Sequence, residues 1–406
     1  MKKIILSTIT AVLMASTAQA ADTISDSLKN GKLTVNARLL YFDRTFDKPN
    51  ATDATSFTIG GFMKYLSDDY KGLKMGLAYY GSNRVSGILS KEDGRATSNL
   101  TSTGENINML GEAYLQYDKD KTMVKVGRQG LKTPLMQNHD LRLLPSLYEG
   151  AIVKNNSFED TKIELGYIWA YTGFGSRYND FSHEETKWGK SGLGYIYLIN
   201  NSIKKLKVSA QYVKQVSDKD SSGNQVVVAD YRYADAVYAL PFGKNSYIKA
   251  QYGGNSYNRA KNPNFPSSDS VMLGAKAGTT LGMVNLAILT NSISGNAFKA
   301  VESGPMYSDW QQGYGPYEPS TAFGGQMIVK PKKGFSLKAA YVKISADRNF
   351  RKDGTFTDDY SEINLDVQYA LDDMSKLRAR YSIKDQSKAS DREDRNDLRL
   401  FYYLNF

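Results

Sequence analysis

Apolar and polar residues alternate with a period of two along almost the whole chain, and no stretch sustains the 3.6-residue period of a helix. In 398–406, Leu398, Leu400, Tyr402, Leu404 and Phe406 share one face, and Arg399, Phe401, Tyr403 and Asn405 share the other. Leu377, Ala379, Tyr381 and Ile383 alternate in the same way with Arg378, Arg380, Ser382 and Lys384. Near the start, Leu33, Val35, Ala37, Leu39 and Tyr41 alternate with Thr34, Asn36, Arg38, Leu40 and Phe42. The pattern predicts about eighteen strands, with sixteen also allowed: 32–43, 55–66, 73–82, 107–117, 122–130, 149–154, 161–171, 191–200, 204–214, 227–240, 246–257, 269–279, 283–293, 320–330, 335–345, 358–371, 376–385 and 396–406.

The connections alternate in length. Those at 67–72, 118–121, 155–160, 241–246, 279–282, 331–334 and 372–375 are short and rich in turn formers. Those at 83–106, 131–148, 172–190, 257–269 and 293–320 are long. Short turns on one side and long loops on the other are the signature of an all-β, closed antiparallel transmembrane β-barrel. The turns are then periplasmic and the loops extracellular, and an even strand number puts both termini in the periplasm. Closure also pairs every backbone group within the hydrocarbon layer, where water cannot.

Composition supports this reading. In the register above, the outward face is expected to carry no Asp, Glu, Lys or Arg, because each such charge at the bilayer midplane costs about 2–4 kcal/mol. The chain has 29 Tyr and 16 Phe. Tyr41, Tyr65, Tyr79, Tyr117, Tyr252 and Tyr369 sit near strand ends, so the tyrosine excess is expected to lie mostly in two interfacial belts. The chain ends on Phe406, an aromatic terminus on the lipid face, which is expected to engage the barrel assembly machinery.

Residues 1–20 read as a cleaved secretory signal peptide. Lys2 and Lys3 precede the short apolar run Ile4 to Met14, and Ala18-Gln19-Ala20 supplies the small-x-small site. That run is too short to span a bilayer as a helix. The mature chain, 21–406, is then a single barrel in the outer membrane of a Gram-negative cell. Its surroundings would be outer-membrane lipid and lipopolysaccharide, and it could be a monomer or a trimer.

The chain has no Cys and only two His, His139 and His183. These counts remove disulfide scaffolds, cysteine nucleophiles and Cys-ligated zinc, and they leave little for imidazole chemistry. No P-loop, EF-hand, HExxH or GxSxG motif occurs, and no cofactor or metal is expected. Nucleic-acid binding is not supported, because the basic residues face a lumen.

The inward face carries the function. Thirteen inward positions are basic: Arg38, Lys64, Lys74, Lys125, Lys162, Lys207, Lys249, Lys276, Lys338, Arg378, Arg380, Lys384 and Arg399. Five are acidic: Glu112, Glu164, Asp235, Glu362 and Asp366. Lysines next to a periplasmic turn (Lys74, Lys162, Lys207, Lys338) also fit a purely solubilising role at the rim. In a closed barrel the first strand pairs with the last, so Arg38, Arg378, Arg380, Lys384 and Arg399 fall on three adjacent strands. Such a column could pass a carboxylate between guanidinium groups without trapping it. Alternatively, the arginines pair with Glu362 and Asp366 and brace the wall.

Two long loops are unusual. Segment 131–148 carries Leu141, Leu143, Leu144, Leu147 and two prolines, more apolar bulk than a solvated loop should hold, so it is expected to fold into the lumen as a constriction. Segment 293–320 carries Glu302, Tyr307, Asp309 and Trp310, and would place acid and aromatic groups opposite the basic wall.

The opening strand GKLTVNARLLYFDR, the segment LKTPLMQNHDLRLLPSLYEG and the arginine-bearing C-terminal strands resemble the OprD-like outer-membrane carboxylate channels, over essentially the whole mature length. Asp140, Arg142, Leu143, Leu144, Pro145 and Gly150 match that family's D-x-R-L-L-P…G run. The resemblance implies an eighteen-stranded porin, not an enzyme, with a lumen narrowed by inward loops and a basic ladder guiding carboxylate solutes. It places Arg378, Arg380 and Arg399 in the ladder region and Asp309 at the acidic position of the inward loop. The expected function is passive diffusion of small solutes with a preference for anions or carboxylates. Alternatives from other classes are an adhesin or structural barrel, and a barrel hydrolase. A hydrolase would need a histidine relay that adjacent His139 and Asp140 supply poorly.

Overall fold

The computed structural model describes residues 21–47, 53–85, 106–138, 143–172, 192–216, 228–257, 269–302, 304–308, 318–347, 359–386 and 394–406. Residues 1–20, read above as a signal peptide, lie outside them. Eighteen antiparallel strands form one sheet: β1 (Lys32–Phe46), β2 (Ala54–Leu66), β3 (Leu73–Arg84), β4 (Ile107–Lys119), β5 (Thr122–Gln129), β6 (Leu147–Asn155), β7 (Thr161–Thr172), β8 (Leu193–Asn200), β9 (Leu206–Gln215), β10 (Val228–Ala239), β11 (Lys244–Tyr257), β12 (Ser270–Leu281), β13 (Val284–Gly295), β14 (Ser320–Val329), β15 (Phe335–Ala346), β16 (Tyr360–Ala370), β17 (Ser375–Gln386) and β18 (Arg395–Asn405). Each pairs with its sequence neighbours, and β1 pairs with β18, so the sheet closes without an edge. The closure runs to the last residue, where the Phe406 amide donates to the Val35 carbonyl (2.9 Å) and the Val35 amide donates back (3.1 Å). All eighteen predicted spans correspond to observed strands.

Alternation sorts each strand into two faces. Leu33, Ile59, Met63, Leu115, Leu165, Leu273, Ile288, Phe323 and Tyr341 are exposed on the outer face. Their inward neighbours are buried or half-buried. Short turns let this register persist, and several use left-handed backbone, as at Lys71, Asp120 and Asp160. Gly61 and Gly127 sit inside strands at φ 120° and 122°, and a Cβ there would collide with the carbonyl of Asn36 or Ala113 on the neighbouring strand.

Two expectations need correction. The outward face is not free of charge. Asp43, Arg128, Glu149, Lys214, Asp230, Arg232, Lys343 and Asp385 all occupy outward positions by register. Each lies within four residues of the extracellular end of its strand. There the strands rise out of the apolar band, and several charges pair with one another, as in Arg128 Nε to Glu149 Oε2 (2.7 Å) and Arg232 Nε to Asp230 Oδ1 (3.2 Å).

The tyrosines are not mostly interfacial either. Tyr79, Tyr117, Tyr252 and Tyr369 are exposed near strand ends, but Tyr80, Tyr114, Tyr148, Tyr171, Tyr195, Tyr231 and Tyr233 are buried inside. Period two places a tyrosine equally well on either face, and the inner ones serve as packing with a hydroxyl that can be satisfied. Tyr80 donates to Glu112 and Tyr195 to Glu164, both at 2.7 Å.

A helix that alternation could not reveal, α1 (Ile24–Lys29), lies at the periplasmic end. Thr23 caps it by accepting from the Asp26 amide (3.1 Å). It is tied to the β2–β3 turn through Ser27 Oγ to the Asp68 carbonyl (2.6 Å) and the Ala21 amide to the Asp69 carbonyl (2.7 Å).

Candidate functional site

The lumen is packed rather than empty. Leu131, Leu135 and Met136 join Val301 and Met306 in an apolar cluster with inward residues of β6–β13. Leu143, Leu144 and Leu147 join a second cluster with Leu40, Phe42, Tyr80 and Phe401, on β1, β3 and β18. The Leu135 amide donates to Gln211 Oε1 on β9 (2.8 Å), while the Leu143 carbonyl accepts from Arg38 Nη1 on β1 (3.2 Å). β1 and β9 stand on opposite sides of an eighteen-stranded ring, so the segment after β5 crosses the interior. Burial of its leucines is what draws it inward.

The segment after β13 fastens onto this crossing. Met136 and Glu302 form a parallel bridge, and the Val301 and Glu302 amides both donate to the Leu135 carbonyl (3.1 Å each). At the other arm, Ser146 Oγ donates to Glu302 Oε1 (3.2 Å). Glu302 therefore contacts both arms of the crossing segment. Pro145, next to Ser146, is buried. Tyr307 is half-buried beside β12, and burial, reinforced by Asp235, pushes its phenol pKa up. Asp140, Arg142 and Asp309 lie outside the described residues.

The wall of β15–β18 and β1 carries the charge. Among its described inward positions, apart from the exposed first residue Lys32 of β1, nine are basic: Lys338, Lys376, Arg378, Arg380, Lys384, Arg395, Arg399, Arg38 and Arg44. Three are acidic: Glu362, Asp366 and Asp397. Register brings Lys338, Asp366, Arg380 and Arg399 into one row across four strands. Arg378 grips Asp366 with two nitrogens, Nε at 2.9 Å and Nη2, and Arg380 Nε stands 3.5 Å from the same carboxylate. Arg380 is 8% exposed, and its Nε and Nη1 lack a hydrogen-bond partner among the described residues.

Higher on the same wall, Asp397 is fully buried and gathers three arginines. Arg44 Nε lies 2.7 Å away, Arg399 Nη2 3.1 Å and Arg395 Nε 3.8 Å. Arg399 and Arg44 also lie over the Phe42 ring, with guanidinium carbons 5.0 and 5.2 Å from its centroid. Lys384 lies 4.4 Å from the Tyr360 ring centroid. Arg38 is buried, bonded to Asn36 and to Leu143, and 5.5 Å from the Tyr403 ring centroid.

The structure thus brings Arg38, Arg378, Arg380, Lys384 and Arg399 onto three adjacent strands, but in different roles. Arg38 supports the crossing segment, and Arg399 is held behind Asp397. Arg378 is neutralised by Asp366, Lys384 stands opposite Glu362 in the register, and Arg380 contributes to the surplus charge. Sequence reasoning missed Asp397, although its parity with Arg399 put it on the inward face. Arg44, Arg395 and Lys376 share that parity and were equally available.

A closed barrel with an apolar outer band, a charged inner face and loops folded across it has the architecture of an outer-membrane β-barrel. The sequence model of the OprD family of outer membrane porins matches residues 25–187 of this chain. Solved structures extend the likeness of fold to the whole barrel. Acinetobacter baumannii OccAB4 superposes with a TM-score of 0.76 at 16% identity, covering 93% of this chain and 98% of that one. Pseudomonas aeruginosa OccK3 (OpdO) gives 0.72 at 14% identity, covering 94% and 97%. Pseudomonas aeruginosa OpdK, crystallised with vanillate, gives 0.73 at 14% identity, covering 93% and 99%. No curated protein matches the chain in sequence. In fold and in the matched segment the chain is similar to outer-membrane porins.

Proposed function

We propose that this protein is an outer-membrane porin that passes small solutes bearing a carboxylate and prefers anions to cations. The observation that carries the reading is the wall of β15–β18 and β1, where nine inward cationic side chains face three carboxylates. Three of the nine can be neutralised, and the surplus raises the local concentration of anions. Arg380 acts chiefly through that field. Vanillate, the molecule crystallised with OpdK, is a carboxylate.

The segments 131–148 and 293–320 narrow the path in this reading, with Pro145 and Tyr307 near the constriction. Asp140, Arg142 and Asp309 would complete it. The leader 1–20 directs export, Phe406 engages the assembly machinery, and the outward charges near the extracellular ends meet lipopolysaccharide. Liposome swelling tests the central part: a carboxylate such as benzoate should enter faster than neutral benzamide of the same shape. Equal rates would remove the carboxylate preference and leave a general porin.

A further inference from the structure

Away from the arginine wall, Lys249 on β11 and Lys276 on β12 are direct cross-strand partners, both inward and both half-buried. Like charges directly opposite one another destabilise a sheet. Relief would ordinarily come from a carboxylate, yet neither lysine forms an ion pair or hydrogen bond with the described residues. Asp235, on the neighbouring β10, is engaged by the Ser209 hydroxyl. Lys338 on β15 adds to the positive field at Lys276.

Aromatic faces support both ammonium groups. Lys249 Nζ lies 4.9 Å from the Tyr247 ring centroid, and Lys276 Nζ lies 6.0 Å from that of Tyr307, on the segment after β13. The Tyr307 hydroxyl is itself buried and without a hydrogen-bond partner among the described residues. Two ammonium groups without an ion-pair partner among the described residues, beside a buried hydroxyl with an unused donor, have the composition of an anion site. β13 to β16 separate this site from Arg380, so it is a second station rather than part of the arginine wall.

We propose that Lys249 and Lys276, with the Tyr307 hydroxyl, form a binding station for doubly charged anions, which makes dicarboxylates or phosphate preferred over monocarboxylates. The inference rests on the anion-passing reading above and narrows its substrate class. A dianion can satisfy both lysines at once, whereas a monocarboxylate leaves one charge repelling. One extra unit charge near contact is worth about ten-fold in affinity in a wet site.

The test is current block of the purified channel in a planar bilayer in KCl, with succinate, inorganic phosphate or acetate added at one near-neutral pH, where phosphate is largely the dianion and both lysines stay protonated. Half-block by at least one dianion should need about ten-fold less solute than half-block by acetate. Block by succinate alone identifies a dicarboxylate channel, and block by phosphate alone identifies a phosphate channel. Lys249→Met with Lys276→Met should abolish the discrimination while the reversal potential stays on the anion side. The same double variant should melt no lower than the parent, because a repulsion is removed. Equal block by all three solutes would overturn the proposal, as would full discrimination in the double variant. A parent channel with cation selectivity would instead defeat the anion-passing reading itself.

Discussion

Replacing Arg380 with Met separates the charge on the wall from its architecture. Arg380 stands 3.5 Å from Asp366, which Arg378 already grips with two nitrogens, so Asp366 stays paired in the variant. The lost side chain has Nε and Nη1 buried without hydrogen-bond partners among the described residues, so few satisfied contacts disappear. The group formed by Arg378, Asp366 and Arg380 falls from a net single positive charge to neutral. An anion passing about 6 Å away loses about 0.7 kcal/mol if screened as in bulk water and about 3 kcal/mol at an effective dielectric constant near 20. A wet lumen bordered by protein lies between, at about 1–2 kcal/mol, or about a five- to thirty-fold fall in local anion concentration. In planar bilayers under a KCl gradient, the reversal potential of Arg380→Met should move measurably toward the potassium potential. Its melting temperature should match the parent's. An unchanged reversal potential in a folded variant would refute the assignment of selectivity to this wall.

Three other perturbations test the architecture. Asp397→Asn leaves Arg44, Arg395 and Arg399 clustered without their shared carboxylate, and should destabilise the barrel by about 3–5 kcal/mol, read as a lower unfolding temperature. Glu302→Ala removes the side-chain bond to Ser146 across the crossing segment; single-channel recordings should show larger conductance and more current noise, and a trace identical to the parent's would mean the backbone bridge suffices. Arg128→Leu removes the ion pair to Glu149, which keeps the Trp169 indole as a donor, and the bond to the Leu110 carbonyl at 3.3 Å; so near the extracellular end the folded fraction in lipid should drop by an amount equivalent to only about 0–1 kcal/mol.

The strands were legible because lipid and lumen impose opposite demands on successive residues. Even isolated runs such as Leu377 to Lys384 therefore carried the signal. The same logic overreached where strands leave the membrane: at Lys214, Arg232 and Lys343 the outward face no longer meets hydrocarbon. Tyrosine was ambiguous, since Tyr79 and Tyr80 are sequence neighbours with opposite fates, one in the outer belt and one hydrogen-bonded to Glu112 inside.

The wall was readable as a set of residues but not as a network. Which guanidinium Asp366 neutralises depends on rotamers and on the register of three strands, and Asp397 gained its meaning only once Arg44 arrived from β1. The junction of Glu302 with Met136 and Ser146 joins segments more than 150 residues apart in sequence, and no local pattern encodes it.

The central claim is that the surplus of positive charge on the inner wall governs what passes. The reversal potential of the unmodified protein under a KCl gradient tests it most directly. The account predicts stepwise conductance with a reversal potential on the chloride side of zero. A reversal potential on the potassium side, or no conductance from correctly folded barrels, would contradict it.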